Sequence, residues 1–246
     1  PNWPLAFAIE KPIEFKKLIE NISQDTPILT KMSMYGTLKF DSIKESYAPS
    51  DVSGTSSVLQ EKEGYLQPSD ILSSGFDQTP VEDVVLNCSV SYEYSYGRKI
   101  YEQQTSSLSV TDVLDADLDV WYGQNQEQAE IDFGLDYQAN YIRDAFLALT
   151  LRNRLLLWGC NQHTILELEL RITKMSLETG DIVCISELAC LDNIKPYGED
   201  CSIRGYVDNG TTVRNGQEIY PFFKIYDIKK SLKSIKIKCI QLHNMT

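Results

Sequence analysis

The sequence predicts an α+β fold: an N-terminal α/β region with a long strand, a long amphipathic helix, then a small antiparallel β-barrel-like unit. Three patterns carry this. In KPIEFKKLIENI, Phe15, Leu18, Ile19 and Ile22 recur at helical spacing. From Val84 to Tyr96 every second residue is apolar, with Val85, Asn87, Ser89, Ser91, Glu93 and Ser95 between them, which is the period of a strand. After TILELELRI the last third of the chain is a succession of short alternating runs broken by turn residues.

Each element has its own local reason. Pro12 suits the first turn of the opening helix. TPILTKMSMYGTLKF holds two strand-like runs around Tyr35-Gly36, where glycine permits the positive φ of a tight hairpin. Residues 44–80 are rich in Ser, Pro, Gly and charge and predict a surface loop, with APSDVSGTSS the most linker-like stretch. The strand at 84–96 presents Val84, Leu86, Cys88, Val90, Tyr92, Tyr94 and Tyr96 on one face. YIRDAFLALTLRNRLLLW predicts a helix of about five turns, with Ile142, Ala145, Phe146, Leu149 and Leu156 inward, Leu155 on the flank, and Gly159 at its end.

In TILELELRI the residues Leu166, Leu168, Leu170 and Ile172 are predicted inward, and Glu167, Glu169 and Arg171 outward. The stretch MSLETGDIVCIS then predicts a turn returning the chain as an adjacent antiparallel strand, and GYV, EIYPFFKIYDI and SIKIKCIQL follow as further strands. Asp208-Asn209-Gly210 and Arg214-Asn215-Gly216 are turn signals. The organisation that follows is three consecutive segments: 1–100, helix, hairpin, loop and long strand; 101–160, an acidic connection and the long helix; 161–246, the antiparallel β unit.

The chain has 246 residues, 42% of them hydrophobic and 24% charged, the composition of a globular protein. Its apolar runs are far shorter than the roughly 20 residues of a spanning helix, and no basic segment followed by an apolar one opens it. PNWPLAFAIEKP already reads as connected structure, so further chain upstream is expected. A net charge of −12 argues against stable nucleic-acid binding, which needs concentrated Lys and Arg. The tyrosines sit singly or alternate along strands instead of interleaving with basic residues, as packing positions do.

A search for chemistry assigns no catalytic, cofactor-binding or metal-ligating residue. The cysteines, Cys88, Cys160, Cys184, Cys190, Cys201 and Cys239, form no CxxC pair, and Cys160 with His163 in CNQH lacks the second close pair of a zinc site. As a nucleophilic dyad Cys160 and His163 lack an orienting third group, and His243 lies near the chain end. No GxSxG, GxxxxGK or strand-borne GxGxxG occurs. The acidic stretch 112–136 contains DADLD, but a calcium loop begun at Asp115 has Val120 where Gly belongs and Gln126 where Glu belongs. Glu167 and Glu169 share a strand face, the exposed one, which gives a glycosidase pair no support. For Asp181, beside Gly180, the expected role is to accept a backbone hydrogen bond in a turn.

Taken in order, SDILSSGFDQTPVEDVVLNCSVSYEYS, YIRDAFLALTLRNRLLLWGCNQHTILELELRI, SLETGDIVCISE and NGQEIYPFFKIYDIKKSLKSIKIKCIQL resemble the hub proteins of bacteriophage tails, the tail-tip or baseplate components that close the distal tail tube. The resemblance spans about Ile13 to Leu242. It implies a virion structural protein with no enzymatic activity and no cofactor, folded in the host cytoplasm. It also implies a ring, a homotrimer, whose tail-tube-like β-barrel domains (161–246 here) contact the tail-tube protein on one side and a spike, fibre or tape-measure protein on the other. Genome DNA would touch it only in passage, along an acidic lining furnished by 112–136 or by the Glu167/Glu169 face. The lysines Lys224, Lys229, Lys230, Lys233, Lys236 and Lys238 would pair with acids of a neighbouring copy or guard a solvated strand edge. The alternatives are a tail-associated cell-wall or glycan hydrolase and a host-surface or carbohydrate-binding module.

Overall fold

The computed structural model describes residues 4–6, 12–32, 36–44, 47–109, 134–160, 163–185, 212–214 and 217–243. In chain order the helices and strands are α1 (Phe15–Gln24), β1 (Ile28–Met32), β2 (Leu38–Ser42), β3 (Tyr65–Leu66), β4 (Ile71–Gln78), β5 (Asn87–Ser95), β6 (Ile100–Gln104), β7 (Leu108–Ser109), β8 (Gly134–Gln138), α2 (Ala145–Gly159), β9 (Thr164–Arg171), β10 (Ile182–Ile185), β11 (Thr212–Arg214), β12 (Gln217–Lys230) and β13 (Ser234–His243). The fold is mixed and dominated by sheet. It divides into two units, one of Pro1–Thr30, Phe40–Ile43 and Pro80–Gln162, the other of Lys31–Lys39, Lys44–Thr79 and His163–Thr246. These units are not the three consecutive segments predicted, because residues 71–78 and 164–171 pair in one sheet.

The first unit is a small sheet with a helix against it. β6 and β7 pair antiparallel with β5, and β8 pairs parallel with it. The predicted alternation holds in register: Val84, Leu86, Cys88 and Val90 are buried, though regular pairing begins only at Asn87, after a 3₁₀ turn at Val81–Asp83. Glu93 interrupts the strand with φ 60°, its N–H donating to Ile142 O at 2.9 Å instead of to a ladder. On α1, Leu18, Ile19 and Ile22 are half-buried while Phe15 stays 66% exposed. Pro12 precedes the N-cap, Glu14, and so lies outside the helix.

The long helix is present, and Ile142 and Leu156 are buried as predicted, but its first turns bury other residues than the ones predicted. Asp144 caps it, Oδ1 accepting from Leu147 N at 3.0 Å, so the helix starts at Ala145 and runs fifteen residues. Its buried residues are Leu147, Ala148, Leu151, Arg152 and Leu156, whereas Phe146 is 73% and Leu149 40% exposed. The physical reason lies in the composition of AFLALTLRNRLLLWG, which is apolar nearly all round and offers no single apolar stripe to read. Arg152 is tolerated inside because its guanidinium donates to Ser106 O at 2.9 Å, to Ser106 Oγ at 3.1 Å and to Asn153 Oδ1. Gly159 is the last residue of the helix but is not in the left-handed conformation; glycine is needed there for space, since an added Cβ would meet Val85 side-chain carbons at 3.0 Å, where Val85 N donates to Gly159 O.

The second unit is built on a seven-stranded sheet of order β3-β10-β12-β13-β9-β4, with β11 on the N-terminal part of β12. β9 alternates as predicted, with Leu166, Leu168 and Leu170 buried and Glu167 outward. They join Val183, Ile185, Phe223, Ile225, Ile235, Ile237 and Cys239 in one apolar layer. Burying each aliphatic or aromatic side chain is worth roughly 1.5–3 kcal/mol.

Four expectations are corrected in this unit. Residues 44–80 are not simply a loop, since β3 and β4 add strands at the two ends of the sheet, and the linker-like stretch is tied to β10 through Ser53 N to Ile182 O at 2.9 Å. β9 and β10 do not form a hairpin, because β12 and β13 lie between them. Ile172 is 47% exposed in a 3₁₀ turn at Ile172–Lys174, where the strand has already ended. The sheet is open: among the described residues β3 and β4 are terminal strands, and no closed barrel forms. β12 carries register shifts around Pro221, which has no N–H for the ladder, and at Tyr226. Arg214 pairs with Gln217, while Asn215-Gly216, GYV and Asp208-Asn209-Gly210 lie outside the described residues.

β1 and β2 pair as a two-stranded sheet, and Gly36 before β2 has φ 75°, a conformation glycine adopts without strain, while residues 33–35 of the expected hairpin turn lie outside the described residues.

The two candidate faces of α2 give opposite expectations for the isolated chain. Leu151→Ala should lower stability by roughly 2–5 kcal/mol, and Phe146→Ala should stay within about 0.5 kcal/mol, both read by chemical denaturation. A large loss at Phe146 with none at Leu151 would restore the face predicted from sequence.

Candidate functional site

The turn at MSLETGDIVCIS is a hydrogen-bonded corner, and Asp181 holds it together. Gly180 has φ 89°, which only glycine adopts without strain. Asp181 Oδ2 accepts from Glu178 N at 2.8 Å, and the backbone is tied to β12 by Gly180 N to Ile225 O at 2.7 Å and Ile225 N to Asp181 O at 2.9 Å. The carboxylate also faces Lys31 Nζ at 3.6 Å, while Glu178 pairs with Lys39 at 3.3 Å. Both oxygens are thus occupied by structural partners of the same unit.

Cys160 and His163 lie on either side of the division between the two units. Burial pushes the Cys160 thiol up to about 11, and its Sγ donates to Leu157 O at 3.3 Å, the opposite of an activated nucleophile. His163 is buried with Nδ1 3.1 Å from Gln241 O, so Nδ1 carries the proton, and its N–H donates to Thr79 Oγ1 at 2.9 Å. Cys88, raised to about 11, and Cys184, raised to about 12, are likewise buried thiols, and burial also pushes Cys239 up. Among the described residues no three His, Cys, Asp or Glu side chains come together as metal ligands. Cys190, Cys201 and all but the last three residues of the acidic stretch 112–136, with its DADLD segment, lie outside the described residues.

Glu167 and Glu169 do share the outer face of the sheet, but that face is a mixed-charge ladder and not an acidic one. Register places Lys238 opposite Glu167 and Lys236 opposite Glu169, and both pairs form ion pairs, the second at 3.9 Å. Ser234 Oγ donates to Glu169 Oε1 at 2.5 Å, and this hydroxyl, with Lys236 behind it, holds Glu169 below the usual carboxylate range. Hydrogen bonding to Glu167 raises Lys238. The lysine cluster therefore does not guard a strand edge: β13 is an interior strand, and Lys236 and Lys238 are matched within their own sheet. Lys230 Nζ is turned to Met175 O at 2.8 Å.

Three polar residues that sequence patterns do not single out are the ones most deeply committed. Asp25, just past the end of α1, is buried and accepts from Tyr137 Oη at 2.9 Å and Tyr141 N at 2.9 Å. Burial raises its carboxyl despite those donors, and burial together with the Asp25 charge pushes the Tyr137 phenol well up. Lys62 is buried with Nζ donating to Pro49 O, Ser50 O and Val52 O at 3.3, 2.8 and 2.9 Å. Arg152 is the third. Asp25 finds its partner 112 residues away, a pairing with no local signature.

Because the folded carboxyl of Asp25 is raised above 3.8, its favourable contribution is complete below that value and is lost as pH rises through the folded value. The melting-temperature difference between Asp25→Asn and the parent should therefore move in favour of Asn as pH rises above 3.8; a difference that does not change with pH would show that the Asp25 carboxyl is not raised by folding. At the corner, Gly180→Val should cost about 1–2 kcal/mol or more, since a β-branched residue is forced into the left-handed region. Asp181→Asn keeps an acceptor for Glu178 N and should cost well under that, both read by urea denaturation.

No family model matches the chain, and no curated protein matches it. Its fold is found among solved structures. A chain of the virion of a native gene transfer agent particle superposes over 92% of this chain with a TM-score of 0.53 at 9% identity. The 43 kDa tail protein of prophage MuSo2 from Shewanella oneidensis aligns over 97% of it with a TM-score of 0.45 at 8% identity. This chain spans 38% of the length of the first and 57% of the second. At such identity the likeness to the virion chain is one of fold.

Proposed function

We propose that the chain is a structural component of a phage-type tail, and within it part of the hub ring that closes the distal tail tube and joins it to spike, fibre or tape-measure proteins. The observation that carries this is the fold shared with a gene transfer agent virion chain along 92% of the sequence. The chemistry of the described residues supports a scaffold: the polar side chains that are deeply buried cap carbonyls or accept from backbone groups, as Lys62, Arg152 and Asp25 do.

The hydrolase alternative needs a carboxylic acid held protonated near neutral pH beside a second carboxylate. Glu169 is shifted the other way, and Glu167 is matched to Lys238. The net charge of −12 suits a protein past which DNA moves without adhering. The Glu167/Glu169 face is charge-balanced by lysines, so any acidic lining is assigned to residues 112–136. In this reading the protein acts in the virion, at the tail tip, as a homotrimer.

Two measurements test it. Light scattering on the purified chain should give three times the 28.0 kDa chain mass, and a reconstruction of the particle that carries it should place its density on the tail axis at the distal end. Density at the periphery, as in a fibre, would sink the hub assignment while leaving a tail role. Clearing of cell-wall suspensions by the purified chain would favour the hydrolase instead.

A further inference from the structure

The two ends of the seven-stranded sheet are treated differently. At β3 the sheet ends after two residues, and Lys174 Nζ donates to Glu63 O at 3.2 Å and Tyr65 O at 2.8 Å while pairing with Asp70 at 3.4 Å. A lysine placed on the backbone acceptors keeps such an edge from recruiting another strand. β4 has no such guard. It runs for eight residues, ILSSGFDQ, with no proline and no basic residue, and among the described residues it pairs on one side only, with β9. Alternate N–H and C=O groups along β4 therefore point away from the sheet.

Gly75 sits in the middle of this strand without an internal reason. Its φ is not in the left-handed region, and an added Cβ would make only ordinary contact, Glu167 Cβ at 3.6 Å. Glycine weakens a strand interior and marks places where another backbone or ligand approaches closely. On the same outer face, Glu167 lies opposite Gly75, its side chain 53% exposed and held only from the far side by Lys238. Asp77 follows two residues on, exposed, with no ion pair among the described residues. At its β4 margin this mixed-charge face presents Glu167 and Asp77, with room above Gly75.

We propose that the β4 edge accepts an extended segment of a partner protein, with apolar side chains on the core side of the sheet and Lys or Arg at alternate positions toward Glu167 and Asp77. The sheet already contains this solution once, where β13 sets Lys236 and Lys238 against Glu169 and Glu167 with Ile235 and Ile237 turned inward. A second copy of this chain does not offer such a strand, because its β13 lies between β12 and β9. The proposal stands on the sheet alone and goes beyond the tail assignment.

The test uses the full chain and a labelled peptide of residues 234–241 with Cys239→Ser, followed by fluorescence anisotropy and amide hydrogen exchange at low salt. Binding is expected with a Kd of about 1 mM or tighter, with exchange slowed at least about twofold at alternate amides of 71–78 when peptide is at its Kd. Exchanging both peptide lysines for glutamates should weaken binding at least tenfold, and so should Gly75→Lys, which adds both bulk and a repelling charge beside Glu167 and whose fold is checked by circular dichroism. Asp77→Lys gives the same reading should Gly75→Lys fail to fold. Protection elsewhere than β4, equal binding of the glutamate peptide, or no protection at about 1 mM peptide overturns the proposal.

Discussion

The second unit depends on the register between β9 and β13. Leu168 opposite Ile237 and Glu167 opposite Lys238 are consequences of one alignment, and a slip of β9 by one residue would turn Glu167 and Glu169 inward and expose the leucines. Burying an unpaired charge costs far more than any ladder bond returns, so the register is fixed by what the wrong alternatives would bury. With β9 and β13 set, β12 and β4 follow on either side, and the Gly180-Asp181 corner is positioned by its bonds to Ile225.

The same constraint explains why the outer face is chemically quiet. Carboxylates and ammonium groups come into contact because strand partners share a face, not because a site has been assembled around a substrate. Glu169 is driven toward its ionised form by Ser234 and Lys236, and the buried thiols are driven away from theirs. Both directions lower the reactivity of these described residues.

In the first unit, polar groups inside the fold serve as fasteners. Asp25 ties the end of α1 to Tyr137 and Tyr141, and Arg152 ties α2 to Ser106. Each joins segments far apart in sequence. Removing one partner would strand a buried polar or charged group, so these residues constrain the fold more than their number suggests.

What the sequence determined by itself was everything with a short repeat: the alternation of β5, β9 and β13, the existence of α2, the glycine turns at Gly36 and Gly180, and the capping role of Asp181. These rest on contacts within a few residues or on period alone. What the tertiary structure decided was which surface covers which. The face of α2 could not be read because the helix is apolar all round. The insertion of β12 and β13 between β9 and β10, and the recruitment of residues 71–78 as a strand, depend on partners some 90 residues away, as Ser73 opposite Glu169 illustrates. Asp25 and Lys62 were silent for the same reason: a polar residue shows its burial only once the groups that satisfy it have been brought to it.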